Sequence, residues 1–276
     1  MKPVYRSSRI AAIATALAAA ALTACSRGPT YSQATPDNVL ESARLMIENG
    51  DARRLPDLIA ADSDPMRENL RKLGVLLSNL KHLSDVLKER YPKQIDRLIR
   101  EARTSSESGE ASSSLALLLG SRNRSDGPRR RELFDQALTH LLADPFGWIQ
   151  RGQDRLTTAY VTDDMQALLW DGKPILPPMG LVLRREGDRW YAVPPTNVPG
   201  VSKYMPHTQT EHQILGNLIV AFNNAIVDLR KDVEAGKAED LEQVAEMAGE
   251  RAFLPVMMIF VAYGKAMDAR DQPGPS

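Results

Sequence analysis

A single cysteine, Cys25, serves the whole 276-residue chain, so no intrachain disulfide can staple the fold. Its surroundings narrow matters further. Residues 1–9 contain Lys2, Arg6 and Arg9 and no acid, and residues 10–22 are apolar except for Thr15. A basic start, a short apolar run and small residues before a cut site read as a secretory signal over residues 1–24. The run is shorter than the roughly 20 residues a membrane span needs. A secreted chain without disulfides must be held together by its core. The chain beyond the signal is long enough for one domain or one and a half.

Leu22-Thr23-Ala24-Cys25, an aliphatic residue, two small ones and cysteine, resembles the bacterial lipoprotein box. The resemblance implies a diacylglycerol thioether on Cys25 and cleavage that leaves Cys25 first. A thiol is the soft nucleophile such chemistry needs, and two or more acyl chains hold where one anchors marginally. Ser26 follows, not Asp, which implies an outer-membrane address facing the periplasm. The alternative is an ordinary signal peptide ahead of a free or buried cysteine. Residues 25–35 read as a tether, polar with Gly28 and Pro29. About ten extended residues at roughly 3.3 Å each reach some 35 Å at most. The first expected partner is therefore the membrane, through lipidated Cys25, and the expected location is the cell envelope.

Charge excludes other partners. The chain has 35 basic and 35 acidic residues, and losing the three signal-peptide cations leaves 32 against 35. No basic excess points to nucleic acid, and no polybasic face to anionic lipid.

Thr35-Pro36 opens a helix as N-cap and first residue, with Val39, Leu40, Ala43, Met46 and Ile47 on one face. Asn49-Gly50-Asp51 ends it. Asp64-Pro65 starts a longer helix whose leucines keep a helical period to Tyr91-Pro92, and Ile95, Leu98 and Ile99 add a further turn or two. Residues 104–114 are Ser/Glu/Gly-rich and read as a loop. Arg129-Arg130-Arg131 reads as a solvated helix start, and residues 131–143 as an amphipathic helix broken by Asp144-Pro145.

The period then changes. Residues 156–162, 165–170, 180–185 and 189–193 read as four strands, punctuated by Asp163-Asp164, Asp171-Gly172 and the hairpin turn Gly187-Asp188. In the last hairpin Leu183 should oppose Ala192, and Val182 should oppose Val193. Both faces are apolar, so both need cover. The run Leu181-Val182-Leu183-Arg184-Arg185-Glu186-Gly187-Asp188-Arg189-Trp190-Tyr191, after a helix ending Asn49-Gly50-Asp51-Ala52, resembles the cystatin-like, nuclear-transport-factor-two-like cone of small lipoprotein domains. That resemblance implies helices packed on a bent antiparallel sheet, with residues 64–127 as a helical insertion that departs from the pattern.

The expected class is α+β: an α+β domain over residues 36–195 with N-terminal helices, a four-stranded antiparallel meander and the insertion. A C-terminal helical segment over residues 207–270 and a disordered tail over 271–276 complete the chain. In the C-terminal segment Thr208 and Thr210 start one helix and Gly236 closes it. Residues 237–253 make a second helix. Pro255 then precedes an apolar helix from Val256 that should be buried.

No nucleophile elbow, zincin, P-loop or dinucleotide motif is present, so no cofactor is expected. His207 and His212 flank Glu211, but Thr208-x-x-Glu211 is a capping box that explains the acid without a metal. Asp163-Asp164 is a hairpin tip. Trp170, Trp190 and Tyr191, with His140, are the candidates to line a pocket if the sheet is a cone. The expected function is a lipid-anchored, non-enzymatic domain that binds a protein or a small apolar ligand. One alternative is a cone-fold enzyme using His140 with Asp135 or Asp144 as acid and base. The other is an oligomeric scaffold built on the C-terminal helices, for which an exposed Met257-Met258-Phe260 patch would argue.

Overall fold

The computed structural model describes residues 29–107, 139, 141–152, 154–175, 181–194 and 205–271. Helix α1, Pro36–Glu48, is capped by the Thr35 hydroxyl, which accepts from the Asn38 amide at 3.2 Å. Its buried residues Val39, Ser42, Met46 and Ile47 recur at three and four, and Gly50 turns the chain with φ +76°. A 3₁₀ turn, Ala52–Leu58, leads to helix α2, Asp64–Arg90, capped by Ser63. Pro92 ends α2 at Tyr91, because the residue before a proline leaves the helical region.

Helix α3, Pro92–Glu107, runs past Thr104, where the composition suggests a loop. Thr, Ser and Ser are weak helix formers but not breakers, and the first glycine comes only at Gly109. Thr139 and residues 141–143 are helical, and the short helix α4, Gly147–Arg151, lies beyond the break at Asp144-Pro145.

The sheet comprises β1, Leu156–Thr162; β2, Met165–Trp170; β3, Lys173–Pro174; β4, Leu181–Glu186; and β5, Arg189–Val193. The order is β1-β2-β4-β5, all antiparallel neighbours, with β3 also on β2. Met165–Leu168 of β2 face Arg184–Leu181, and Leu169–Trp170 face Pro174–Lys173. Strands β3 and β4 thus lie end to end along one side of β2. The meander occupies four lanes, with one lane interrupted. Leu183 opposes Ala192 and Val182 opposes Val193, the register expected from the two-residue turn.

Helix α5, Gln209–Glu234, and helix α6, Leu241–Asp271, complete the α+β fold. Helix α6 begins at Leu241, not residue 237, because the Asp240 side chain accepts from the Gln243 amide at 2.9 Å and caps it there. It then continues through Pro255 as one helix. Proline forfeits one amide bond in a helix without forbidding it. Asp271 is its last residue, and the rest of the expected tail lies outside the described residues.

Two cores divide the molecule. Val39, Met46, Leu58, Leu183 and Trp190 fill the space between α1 and the sheet, while Ile47, Ala52 and Phe146 extend that layer. A larger helical core joins Leu80, Leu83 and Leu87 of α2, Ile95 of α3, Leu229 and Val233 of α5, and Leu241 and Val244 of α6. The C-terminal helices therefore pack on the segment expected as an insertion. Helix α2 spans both cores, and close contact with the 3₁₀ turn requires Gly74, where a Cβ would sit 2.4 Å from the Arg53 carbonyl oxygen. Met258 and Val261 of α6, expected inside, are 66% and 51% exposed. The helical core takes up α6 through Leu241, Val244 and Ala248, in its first turns.

Candidate functional site

The residues expected as the end of a free tether are docked. The Trp190 amide donates to the Gln33 carbonyl at 2.8 Å, and the Gln33 side-chain amide donates to the Trp190 carbonyl at 2.9 Å. The Ser42 hydroxyl holds the Ser32 carbonyl at 2.6 Å, and the Tyr31 hydroxyl donates to Asp51 at 2.5 Å. Beyond Gln33, Ala60 donates to the Ala192 carbonyl at 2.9 Å, so the outer edge of β5 is occupied along its length.

An open cleft of about 700 Å³ lies where this docked segment meets β5 and the 3₁₀ turn, lined by Tyr31, Gln33, Arg54, Asp57, Arg189 and Tyr191. Two of its charged side chains, Arg54 and Asp57, pair with each other. The Arg54 guanidinium sits 4.8 Å from the centre of the Tyr31 ring and its Nε is 3.3 Å from Asp57. Burial and the bond to the Asp51 carboxylate raise the Tyr31 phenol above its ordinary pKa, so it remains a neutral donor. The cleft offers Tyr31, Gln33, Arg54 and Tyr191 as polar contacts.

The aromatic residues expected to share a pocket are separated. Trp190 is buried beneath α1 among Val39, Met46 and Leu183. Tyr191, on the other face by strand alternation, lines the open cleft. Trp170 lies at the opposite end of the sheet, beneath the Arg155 guanidinium at 4.8 Å. Arg155 also donates to Asp171 from Nε at 2.8 Å, and this bond holds the Asp171 carboxyl below its usual range. His140, Asp135 and Cys25 lie outside the described residues, as do the side chains of Met257 and Phe260.

The histidine pair is built into a helix start. The backbone amides of His207 and Thr208 donate to Glu211 at 2.6 and 3.3 Å, and the Glu211 amide donates to Thr208 at 3.2 Å, closing the capping box. Asn69 of α2 donates to the His212 carbonyl at 2.9 Å, with its nitrogen 3.4 Å from the imidazole Nδ1. Burial lowers the His212 pKa, opposed by Glu211 and helped by His207, which favours the neutral ring beside Asn69. Among the described residues no three His, Cys, Asp or Glu side chains are grouped to hold a metal. Asp163 accepts from Tyr160 at 3.2 Å and Asp164 from Arg185 at 2.8 Å, both on the exposed turn.

One polar constellation leaves no local mark in the sequence. Asp232 of α5, nearly buried, accepts from Lys237 at 2.8 Å and from Arg251 of α6. Similarly, Asn79 donates to Asn223 at 2.8 Å across the α2–α5 seam. Both link residues far apart in sequence or across a turn, where no spacing rule operates. Both serve helix packing. No protein family matches the chain, and no curated protein or solved structure is significantly similar to it.

Proposed function

We propose that this chain is a lipid-anchored envelope protein that acts without catalysis, by binding a partner protein through the C-terminal half of α6. The observation that carries the reading is the exposure of Met258 and Val261 on a helix whose first turns belong to the core. Exposed large apolar groups on one helix favour a protein partner over solvent. The packed face under α1, filled by Leu183 and Trp190, argues against a cone-type catalytic cavity there. No described helix is long and apolar enough to cross a membrane. Attachment in this reading rests on Cys25 alone. Tyr31 is already fixed, so the five residues between them, six Cα-to-Cα steps, reach about 20 Å at most.

Two measurements test the two halves. Replacing Cys25 with Ser should abolish incorporation of labelled fatty acid and release the protein from the membrane fraction; unchanged acylation would refute the anchor. A photo-crosslinking residue at position 258 should yield one discrete protein adduct in cells, while the same residue at exposed Glu246 should not. Equal labelling at both positions would refute the binding surface.

A further inference from the structure

The outward side of α6, in its C-terminal half, carries a charge at each end. Met258 and Val261 are 66% and 51% exposed, and Glu250 and Lys265 are exposed on either side of them. Steps of three and four residues join positions 250, 254, 257, 258, 261 and 265, so they fall on one side of the helix. The sequence puts leucine at 254 and methionine at 257. Positions 250 and 254 stand six residues beyond Val244 and Ala248, which sets this side about a third of a turn from the core face. A seam of that spacing fits another helix. Neither Glu250 nor Lys265 forms an ion pair among the described residues.

We propose that the partner at this surface is a second copy of the chain, its α6 laid antiparallel on the first about a two-fold axis between positions 257 and 258. This rests on the reading of the C-terminal half of α6 as the binding surface and names its occupant. The seam is its own complement when reversed. Position 254 meets 261, position 257 meets 258, and Glu250 meets Lys265 at both ends. A parallel pair would instead set Glu250 against Glu250 and Lys265 against Lys265. Between these ends the sequence has one other charge, Arg251, which already bonds Asp232. Its position comes opposite Gly264, where a Cβ would meet nothing within 4 Å. The contact is isologous, so it closes at two chains.

The test uses the full chain in detergent under reducing conditions, with masses read by light scattering. The parent should have twice the chain mass. Glu250→Lys brings two cations together at each end of the seam, and Lys265→Glu brings two carboxylates together. Either change should weaken association by about ten-fold, because it counts twice across the axis. Mixed in equal amounts, the two variants should pair with each other, and both changes in one chain should restore the parent mass. The proposal is overturned if the parent has single-chain mass, if neither variant weakens association, or if mixing does not recover it. A photo-crosslinking residue at position 258 separates this proposal from the reading it rests on. An adduct of two copies supports both. An adduct with a different protein overturns the second copy and leaves the surface standing, and no adduct overturns both. Should a charge variant fail to fold, the parent mass and the adduct still decide.

Discussion

Gln33 and Trp190 exchange two hydrogen bonds, one from the Trp190 amide at 2.8 Å and one returned by the Gln33 side chain at 2.9 Å. Together they attach the N-terminal segment to the sheet edge directly behind the buried indole. The indole supplies apolar burial, and the glutamine satisfies the backbone that burial leaves short of water.

Trp190 and Trp170 should respond very differently to truncation. Trp190→Ala empties part of the core under α1 and should cost about 3–5 kcal/mol. Trp170→Ala loses a partly exposed ring and one cation–π contact, for about 1 kcal/mol. Denaturant midpoints at unchanged slope check this, and equal costs would mean that Trp190 does not occupy the core.

Two glycines should move in opposite directions. Gly74→Ala drives a methyl toward the Arg53 carbonyl and should destabilise by about 1–3 kcal/mol. Gly249 lies within α6 with nothing within 4 Å of its missing Cβ, so Gly249→Ala should stabilise by up to about 1 kcal/mol. Thermal melts of the two variants give the signs.

Mild acid should weaken the α2–α5 joint. Burial lowers the His212 pKa in the folded state, so the unfolded chain binds the extra proton first. Stability from this group is therefore intact above its ordinary value near 6.5 and declines as pH falls from there toward the folded value. His212→Gln should flatten the loss of stability as pH falls below about 6.5. The carboxylates lowered by arginine or lysine, Glu41, Asp171 and Asp228, act in a more acidic window. An unchanged pH profile in His212→Gln would sink the assignment.

Asp232→Ala should cost about 1–3 kcal/mol, the low end for a buried ion pair, because Lys237 and Arg251 are exposed enough to regain water. Amide exchange should accelerate at the α5–α6 turn before it does so in the sheet.

Much of the fold is legible in the sequence because its signals are local. Strands β1, β2 and β5 coincide with the apolar runs bounded by Asp163-Asp164 and Gly187-Asp188, and Thr35 caps α1 as its sequence implies. The candidate site is less legible. Alternation separates Trp190 from Tyr191, but both sheet faces are apolar, so the sequence does not say which one α1 covers. The docking of Gln33 uses one main-chain pair and one side-chain amide on a main-chain carbonyl, and main-chain groups leave no trace in composition. Continuity of α6 through Pro255 is hidden for a related reason: proline weakens a helix locally, and the surrounding helix formers decide whether it survives.

The place of Gln33 beside β5 also shifts where the folded unit begins. A fragment cut at Thr35 would keep every helix and every named strand yet bare the Trp190 edge, with its amide newly open to any passing strand. Such a fragment should aggregate more readily than one starting at Pro29.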